Sequence, residues 1–247
     1  MNQLIITDLT RFREGNNDVC IAGVDIQTGE CIRPLFLRGD GSNKTRYINQ
    51  TECKKYNILA GSIISGDFST TPPISMPHRE DRIWSAPKLE GPCTSDQFLN
   101  VLKLTNQQSV IQGFGVPLAS PKHIDVSQAK SIKSSIITVK VPVAHLEIVR
   151  NTFEDRKIQI HFTDYAGQDF RYLAITDFGF FNYIIEKSRD INASVAEVNH
   201  FIQQQSDVYL RVGLSRAFQQ GDRMGFWLQV NGIYTFPHYL QEIRSYK

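Results

Sequence analysis

No apolar run in this 247-residue chain approaches the roughly 18 to 20 residues that a membrane-spanning helix needs. The N-terminus, Met-Asn-Gln-Leu-Ile-Ile-Thr-Asp, has no basic start followed by an apolar stretch, so no signal peptide is expected and the reading is a soluble cytoplasmic protein. Cysteine is sparse. Cys20, Cys31, Cys53 and Cys93 all lie in the first half, and none forms a C-x-x-C pair. That spacing suits neither a zinc ribbon nor a thioredoxin-like motif, and no metal or other cofactor is expected. Cys20 and Cys31 fall in strand-like runs as small apolar residues; a bridge between them across a hairpin is open geometrically but disfavoured in a reducing compartment.

Catalytic signatures are missing as well. There is no P-loop and no G-x-G-x-x-G run, and Ser215 lacks the G-x-S-x-G context of a hydrolase nucleophile. No repeat with a period of 20 to 50 residues is visible, which excludes solenoids and propellers. Net charge is only +2, too little to argue for a polyanionic partner by itself. Its distribution says more. Glu30 to Lys55 holds a positive excess through Arg33, Arg38, Lys44, Arg46, Lys54 and Lys55, and Lys122 to Arg150 holds another. Residues 151–200 carry a compensating surplus of acids.

What is present is a succession of short β-patterned runs. Val19 to Ile26, the turn Gln27-Thr28-Gly29 and Glu30 to Phe36 predict a hairpin. Arg38 to Glu52 reads as a long loop, and Gly61 to Ser69 as a further strand. Pro72, Pro73, Pro77, Pro87 and Pro92 make Thr70 to Pro92 an irregular loop. Thr94-Ser95-Asp96-Gln97 is a capping box opening a helix, and Gly113, Gly115, Pro117 and Pro121 mark a boundary. Beyond it come Ile136 to Val141, His145 to Arg150, and a second hairpin from Lys157 to Thr176. A helical pattern follows over Phe180 to Lys187, and a capping box at Ser194 to Glu197 starts another helix. Val208 to Leu240 closes the chain as two strands. The expected organisation is a first β domain over residues 1–112, a linker over 113–133 and a second β domain over 134–247. Both would be β-rich α+β units, either small barrels or sheets folded on one another.

Two constellations carry candidate chemistry. Pro77-His78-Arg79-Glu80-Asp81-Arg82 packs an imidazole, two carboxylates and two guanidiniums into a proline-rich loop. It reads either as a structural hub or as a ligand contact, with Arg33 of Ile32-Arg33-Pro34 as an ion-pair partner or a second contact. The closing strands set Arg211, Ser215, Arg216, Gln229 and Asn231 among Trp227, Tyr234 and Phe236. Arg, Gln and Asn beside aromatics fork onto phosphates, pair with base edges and stack on rings, and they also build buried hydrogen-bond networks. Asn231-Gly232 is a turn or a bulge, and the aromatics are a stacking platform if exposed and core if buried. Asp164, Asp177, His161 and His200 are too dispersed to assign.

Several of these runs together resemble a bacterial family of dual OB-fold domain proteins. They are Val19-Cys20-Ile21-Ala22-Gly23-Val24-Asp25, Ile32-Arg33-Pro34, Pro77-His78-x-Glu80-Asp81, Leu210 to Arg216 and Gln229 to Pro237. The resemblance implies two OB-like barrels with a few interspersed helices, an association with genome-conflict or mobile-element contexts, and no established activity. The expectation is therefore a non-enzymatic module that binds nucleic acid, single-stranded DNA or RNA, in bacterial defence or genome maintenance. Its contacts would come from Arg33, His78, Glu80, Asp81, Arg211, Ser215, Arg216, Gln229, Asn231 and Tyr234. The alternative is a pocket for a small polar ligand or nucleotide, with or without catalysis, built from Arg33, His78, Glu80, Asp81 and Arg216.

Overall fold

The computed structural model describes residues 2–12, 16–37, 45–70, 76–154, 157–186 and 190–246. Arg38, Lys44, Pro72, Pro73 and Lys187, used in the sequence reading, lie outside the described residues. The chain divides into two compact units, Met1–Thr105 with Arg244–Lys247, and Asn106–Ile243. The first contains β1 (Asn2–Arg11), β2 (Asp18–Asp25), β3 (Cys31–Leu37), β4 (Thr45–Arg46), β5 (Ile48–Asn49), α1 (Gln50–Lys55), β6 (Ser62–Thr70), β7 (Asp81–Pro92) and α2 (Ser95–Leu104).

Five of its strands pair in a ring. β1 pairs with β2 and β6, β2 with β3, β3 with β7, and β7 with β6; only β3–β7 is parallel. β1 serves two neighbours because it bends: Asn2 to Ile5 faces β6, Leu4 onward faces β2, and Thr7 is the extra residue of a bulge. A small closed ring with one parallel pair and a helix between β3 and β6 is the OB arrangement, and it leaves no long free edge among these five strands.

The proline-rich segment is ordered differently from the sequence expectation. From Asp81 onward it is a twelve-residue strand. Pro87 is accommodated because the ladder skips there: Ser65 pairs with Lys88 and Asp67 with Ser85, leaving Ala86 and Pro87 opposite Gly66 at a bulge. Gly66 (φ 157°) cannot be replaced easily, since an added Cβ would lie 2.3 Å from Trp84 Nε1. α2 begins as expected, with Thr94 and Gln97 exchanging both bonds of a capping box.

The second unit contains β8 (Asn106–Gln107), α3 (Val110–Phe114), β9 (His123–Asp125), β10 (Ile136–Val141), β11 (Leu146–Arg150), β12 (Ile158–Thr163), β13 (Asp169–Ile175), α4 (Phe178–Phe181), α5 (Ile191–Gln203), β14 (Asp207–Leu214), β15 (Phe218–Gln220) and β16 (Arg223–Phe236). A π-helical turn over Asn182–Glu186 follows α4. The pairing repeats that of the first unit. β11–β12–β13 is an antiparallel meander, β13–β16 is the one parallel pair of the ring, and β16–β14–β10 returns antiparallel. The first strand is broken in two: β10 pairs with β14, and β11, which follows across Pro142 to His145, pairs with β12. Proline stops the ladder at that break. The connection from β13 to β14 contains α4 and α5, as that from β3 to β6 contains α1. Both units are OB-like barrels and the chain is mainly β.

Two further expectations change. Residues 113–133, read as a linker, supply Phe114, Val116, Ile124 and Ile132 to the core of the second unit, and β9 pairs with β16. The helix expected from Ser194 starts earlier, because Asp190 accepts from Asn192 N and Ala193 N and caps it at Ile191. The four cysteines are free; Cys31 pairs with Val24, four residues along β2 from Cys20. No helix among the described residues is long and apolar enough to cross a membrane.

Candidate functional site

The structure separates the sequence-predicted residues into two sets, one in each unit. Arg33, His78, Glu80 and Asp81 come together where β3 and β7 run parallel. Arg33 sits opposite Asp81, its Nε donates to Asp81 Oδ1 at 2.5 Å, and its N–H donates to Glu80 O at 2.8 Å. His78 O accepts from Asp81 N at 3.4 Å. All four are 1–6 % exposed. Burial opposes the Arg33 charge, but Cys20 and Asp81 more than offset it, so its pKa is raised. Groups this buried offer no surface to a polymer; they brace the one parallel seam of the barrel.

In the second unit, Arg211 is 1 % exposed and donates to Thr138 Oγ1 at 2.8 Å. Asn231 is the extra residue of a bulge, since Arg211 pairs with Gly232 but Val212 with Val230. Its Oδ1 accepts from Gln229 Nε2 and Thr176 Oγ1, both at 3.1 Å. Tyr234 is buried. Ser215 locks the neighbouring strand: its Oγ accepts from Trp227 N and its N–H donates to Trp227 O, each at 2.9 Å. Arg216 is exposed, Gln229 and Trp227 are half-buried.

Around Trp227 the barrel surface carries features that the sequence reading did not assign. Trp227 stacks on His123, its partner across β9–β16 (centroids 5.0 Å, 25°), and touches Phe218 of β15 (5.7 Å). The preceding residue, Lys122, places Nζ 5.2 Å from the Tyr172 ring centroid. Tyr172 stands edge-on to His161 (4.4 Å, 82°). The aromatic–cation series Phe218, Trp227, His123, Lys122, Tyr172, His161 runs over β15, β16, β9, β13 and β12, with His123, 4 % exposed, as a buried link beneath the exposed rings of Phe218 and Tyr172. Phe153, 95 % exposed, tops the β11–β12 turn, pinned by Asn151 Oδ1 accepting from its N–H at 2.7 Å.

The backbone explains how Tyr172 comes to be displayed. The β12–β13 register shifts between Ile160 and Phe162, and Tyr172 adopts φ 58° at that point. A non-glycine residue in the left-handed region costs of order 1–3 kcal/mol. The bulge turns Arg171 and Tyr172 outward together, between buried Phe170 and Leu173.

The ionisable groups of this face are perturbed by burial and by their neighbours. Lys122 is held below the ordinary lysine range by burial and by Lys157. His161 is held below its ordinary value by burial, then by Arg171 and Lys122, with Glu147 opposing. Its Nε2 is buried and has no hydrogen-bond partner among the described residues. Glu154 pairs with Lys157 at 2.8 Å and Asp169 with Arg171 at 3.5 Å, so part of the charge is offset. Burial is the larger cause of both shifts; the smaller cause, the neighbouring cations Lys157, Arg171 and Lys122, is the part that favours an added anion. Among the described residues no group of three or more His, Cys, Asp or Glu is placed to hold a metal ion.

No curated protein matches the chain. Among solved structures, a murine DNA binding protein bound with ds DNA is 9 % identical over 93 % of this chain and 97 % of that one, with a TM-score of 0.30. A replication protein A heterotrimer bound to ssDNA is 8 % identical over 97 % of this chain and 49 % of that one, with a TM-score of 0.35. Likeness at that level carries no functional weight. The model of the dual OB-containing domain matches residues 9–233, nearly the whole chain. With that match and the same ring of strands in both units, the chain belongs to the dual OB-containing domain family.

Proposed function

We propose that this protein is a non-enzymatic nucleic-acid-binding module that holds single-stranded DNA or RNA on the β12–β13–β16 face of its second barrel. The observation that carries this reading is the continuous series from Phe218 through Trp227 and Lys122 to Tyr172. Bases stack on aromatic rings irrespective of sequence, and cations beside the rings track the phosphates. OB barrels use the face of their second and third strands and the loops flanking it, which here are β12, β13, the β11–β12 turn and the segment around β15. Gln229 on β16 and Arg216, just past the end of β14, flank the same face, whereas Arg211, Asn231 and Tyr234 are buried. The family resemblance motivates a role in bacterial defence or genome maintenance, in the cytoplasm.

Fluorescence anisotropy with labelled single-stranded and duplex DNA and RNA tests this reading. Tyr172→Ala is expected to cost about 1–3 kcal/mol, a weakening of roughly 5- to 150-fold, with melting temperature little changed. Binding indifferent to Tyr172→Ala and Trp227→Ala would reject the face.

A further inference from the structure

The second unit has an open cavity of about 500 Å³, lined among others by Asn106, Ser109, Gln112, Lys140 and Tyr165. It shares no residue with the β12–β13–β16 face. Among the described residues that line it none is acidic; the nearby Asp164 carboxylate is buried and accepts from Val110 N and Ala166 N.

The orientation of its carboxamides is fixed by the backbone. Asn106 Oδ1 accepts from Lys140 N at 2.7 Å, and Gln112 Oε1 accepts from Gln108 N at 3.1 Å. A backbone N–H can only donate, so each amide presents its oxygen to the chain and keeps its NH2 group for a ligand. Ser109 Oγ accepts from Gln112 N at 3.2 Å, which leaves its hydroxyl proton to donate elsewhere. Lys140 Nζ meets Asp207 at 2.5 Å with one of its three N–H groups. The lining therefore offers two amide donors, a hydroxyl donor and an ammonium, all fixed on short elements. Such a set is complementary to a group made only of acceptors and carrying negative charge.

We propose that this cavity binds the terminal phosphate of a nucleotide, with Asn106, Ser109, Gln112 and Lys140 donating to its oxygens. The volume exceeds what a phosphate fills and lies in the range of small-ligand sites, which leaves room for the rest of a nucleotide. Tyr165, 61 % exposed, supplies a ring against which the base stacks. The phosphate belongs either to a free mononucleotide or to the 5′ end of a strand. The proposal stands without the single-strand face, because neither the residues nor the ligand group are shared.

The test is calorimetric titration of the full chain with adenosine 5′-monophosphate, adenosine and inorganic phosphate, and with one oligonucleotide carrying a 5′-phosphate or a 5′-hydroxyl. Gln112→Glu and Asn106→Asp keep the oxygen that accepts the backbone N–H and replace the donor with a carboxylate oxygen. Each is expected to weaken phosphate-dependent binding roughly 10- to 100-fold, while melting without ligand stays at the parent value. Monophosphate binding far tighter than adenosine, with no preference between the two strand ends, assigns the free nucleotide. A preference for the 5′-phosphate that either variant abolishes assigns the strand end. Adenosine binding as tightly as its monophosphate, or no binding by the monophosphate and the phosphorylated strand alike, overturns the proposal.

Discussion

Asp81→Ala is the most demanding test of the first barrel. The substitution leaves the Arg33 guanidinium, 6 % exposed, without its carboxylate in the seam between β3 and β7. Removing one member of a buried pair costs about 3–5 kcal/mol, because the remaining charge stays desolvated. With a urea slope of about 2 kcal/mol/M, the midpoint falls by roughly 2 M. The chain makes this measurable unit by unit, since its two tryptophans, Trp84 and Trp227, lie one in each barrel. A Trp227→Phe background leaves Trp84 to report the first unit, and Trp84→Phe leaves Trp227 to report the second. Asp81→Ala should shift the Trp84 transition and leave the Trp227 transition in place. Replacing both partners, Arg33→Met with Asp81→Leu, should recover most of the loss, because Arg33 Nη2 has no hydrogen-bond partner among the described residues and a matched apolar pair leaves no stranded charge. A cost below about 1 kcal/mol for Asp81→Ala, the range of exposed pairs, would refute the bracing role.

Gly213→Ala should destabilise the second unit by about 1–3 kcal/mol, read by urea denaturation; the new Cβ would lie 2.3 Å from Asn231 Nδ2, whose side chain is fixed by Thr176 and Gln229. Cys53, buried and with its thiol pushed up to about 12 by desolvation, should resist alkylation at pH 8 in the native state and react once urea unfolds the first unit. His161 should titrate below its ordinary value of 6.5 in an NMR pH series. Because the unfolded chain then binds the proton more readily, this group makes stability rise with pH through that window and fall on acidification, and His161→Gln should flatten that dependence. Logarithmic affinity for single strands should fall with logarithmic salt, and Lys122→Met should reduce the slope by about 0.7.

Much of the fold was legible because the informative signals are local. The first hairpin, the Thr94 capping box and the β12–β13 hairpin are set by turn residues and alternation within a few positions of one another. Signals that depend on a partner strand were not. Pro87 looks like a breaker until Gly66 on β6 supplies the bulge that absorbs it. Gly113 to Pro121 resembles a boundary, although Phe114 and Val116 are buried in the second core.

The same division runs through the candidate site. An ion pair from Arg33 to Glu80 or Asp81 was legible because Pro34 stops the ladder beside Arg33 and the carboxylates sit in a proline-rich segment, but only the pairing of β3 with β7 selects Asp81 and buries both groups. Tyr172 left a faint trace: the core residues Phe170 and Leu173 are three apart, an odd interval that strict alternation cannot produce without a bulge. Lys122 and His123 gave none, since they reach the face only through the pairing of β9 with β16.

The central claim rests on bases lying against Trp227. In the Trp84→Phe variant that residue is the single tryptophan, and titration with an unlabelled oligothymidine should quench its emission along the curve that anisotropy traces, both curves weakening together as salt is raised. Binding seen by anisotropy with the Trp227 emission unchanged would place the polymer elsewhere and contradict the account.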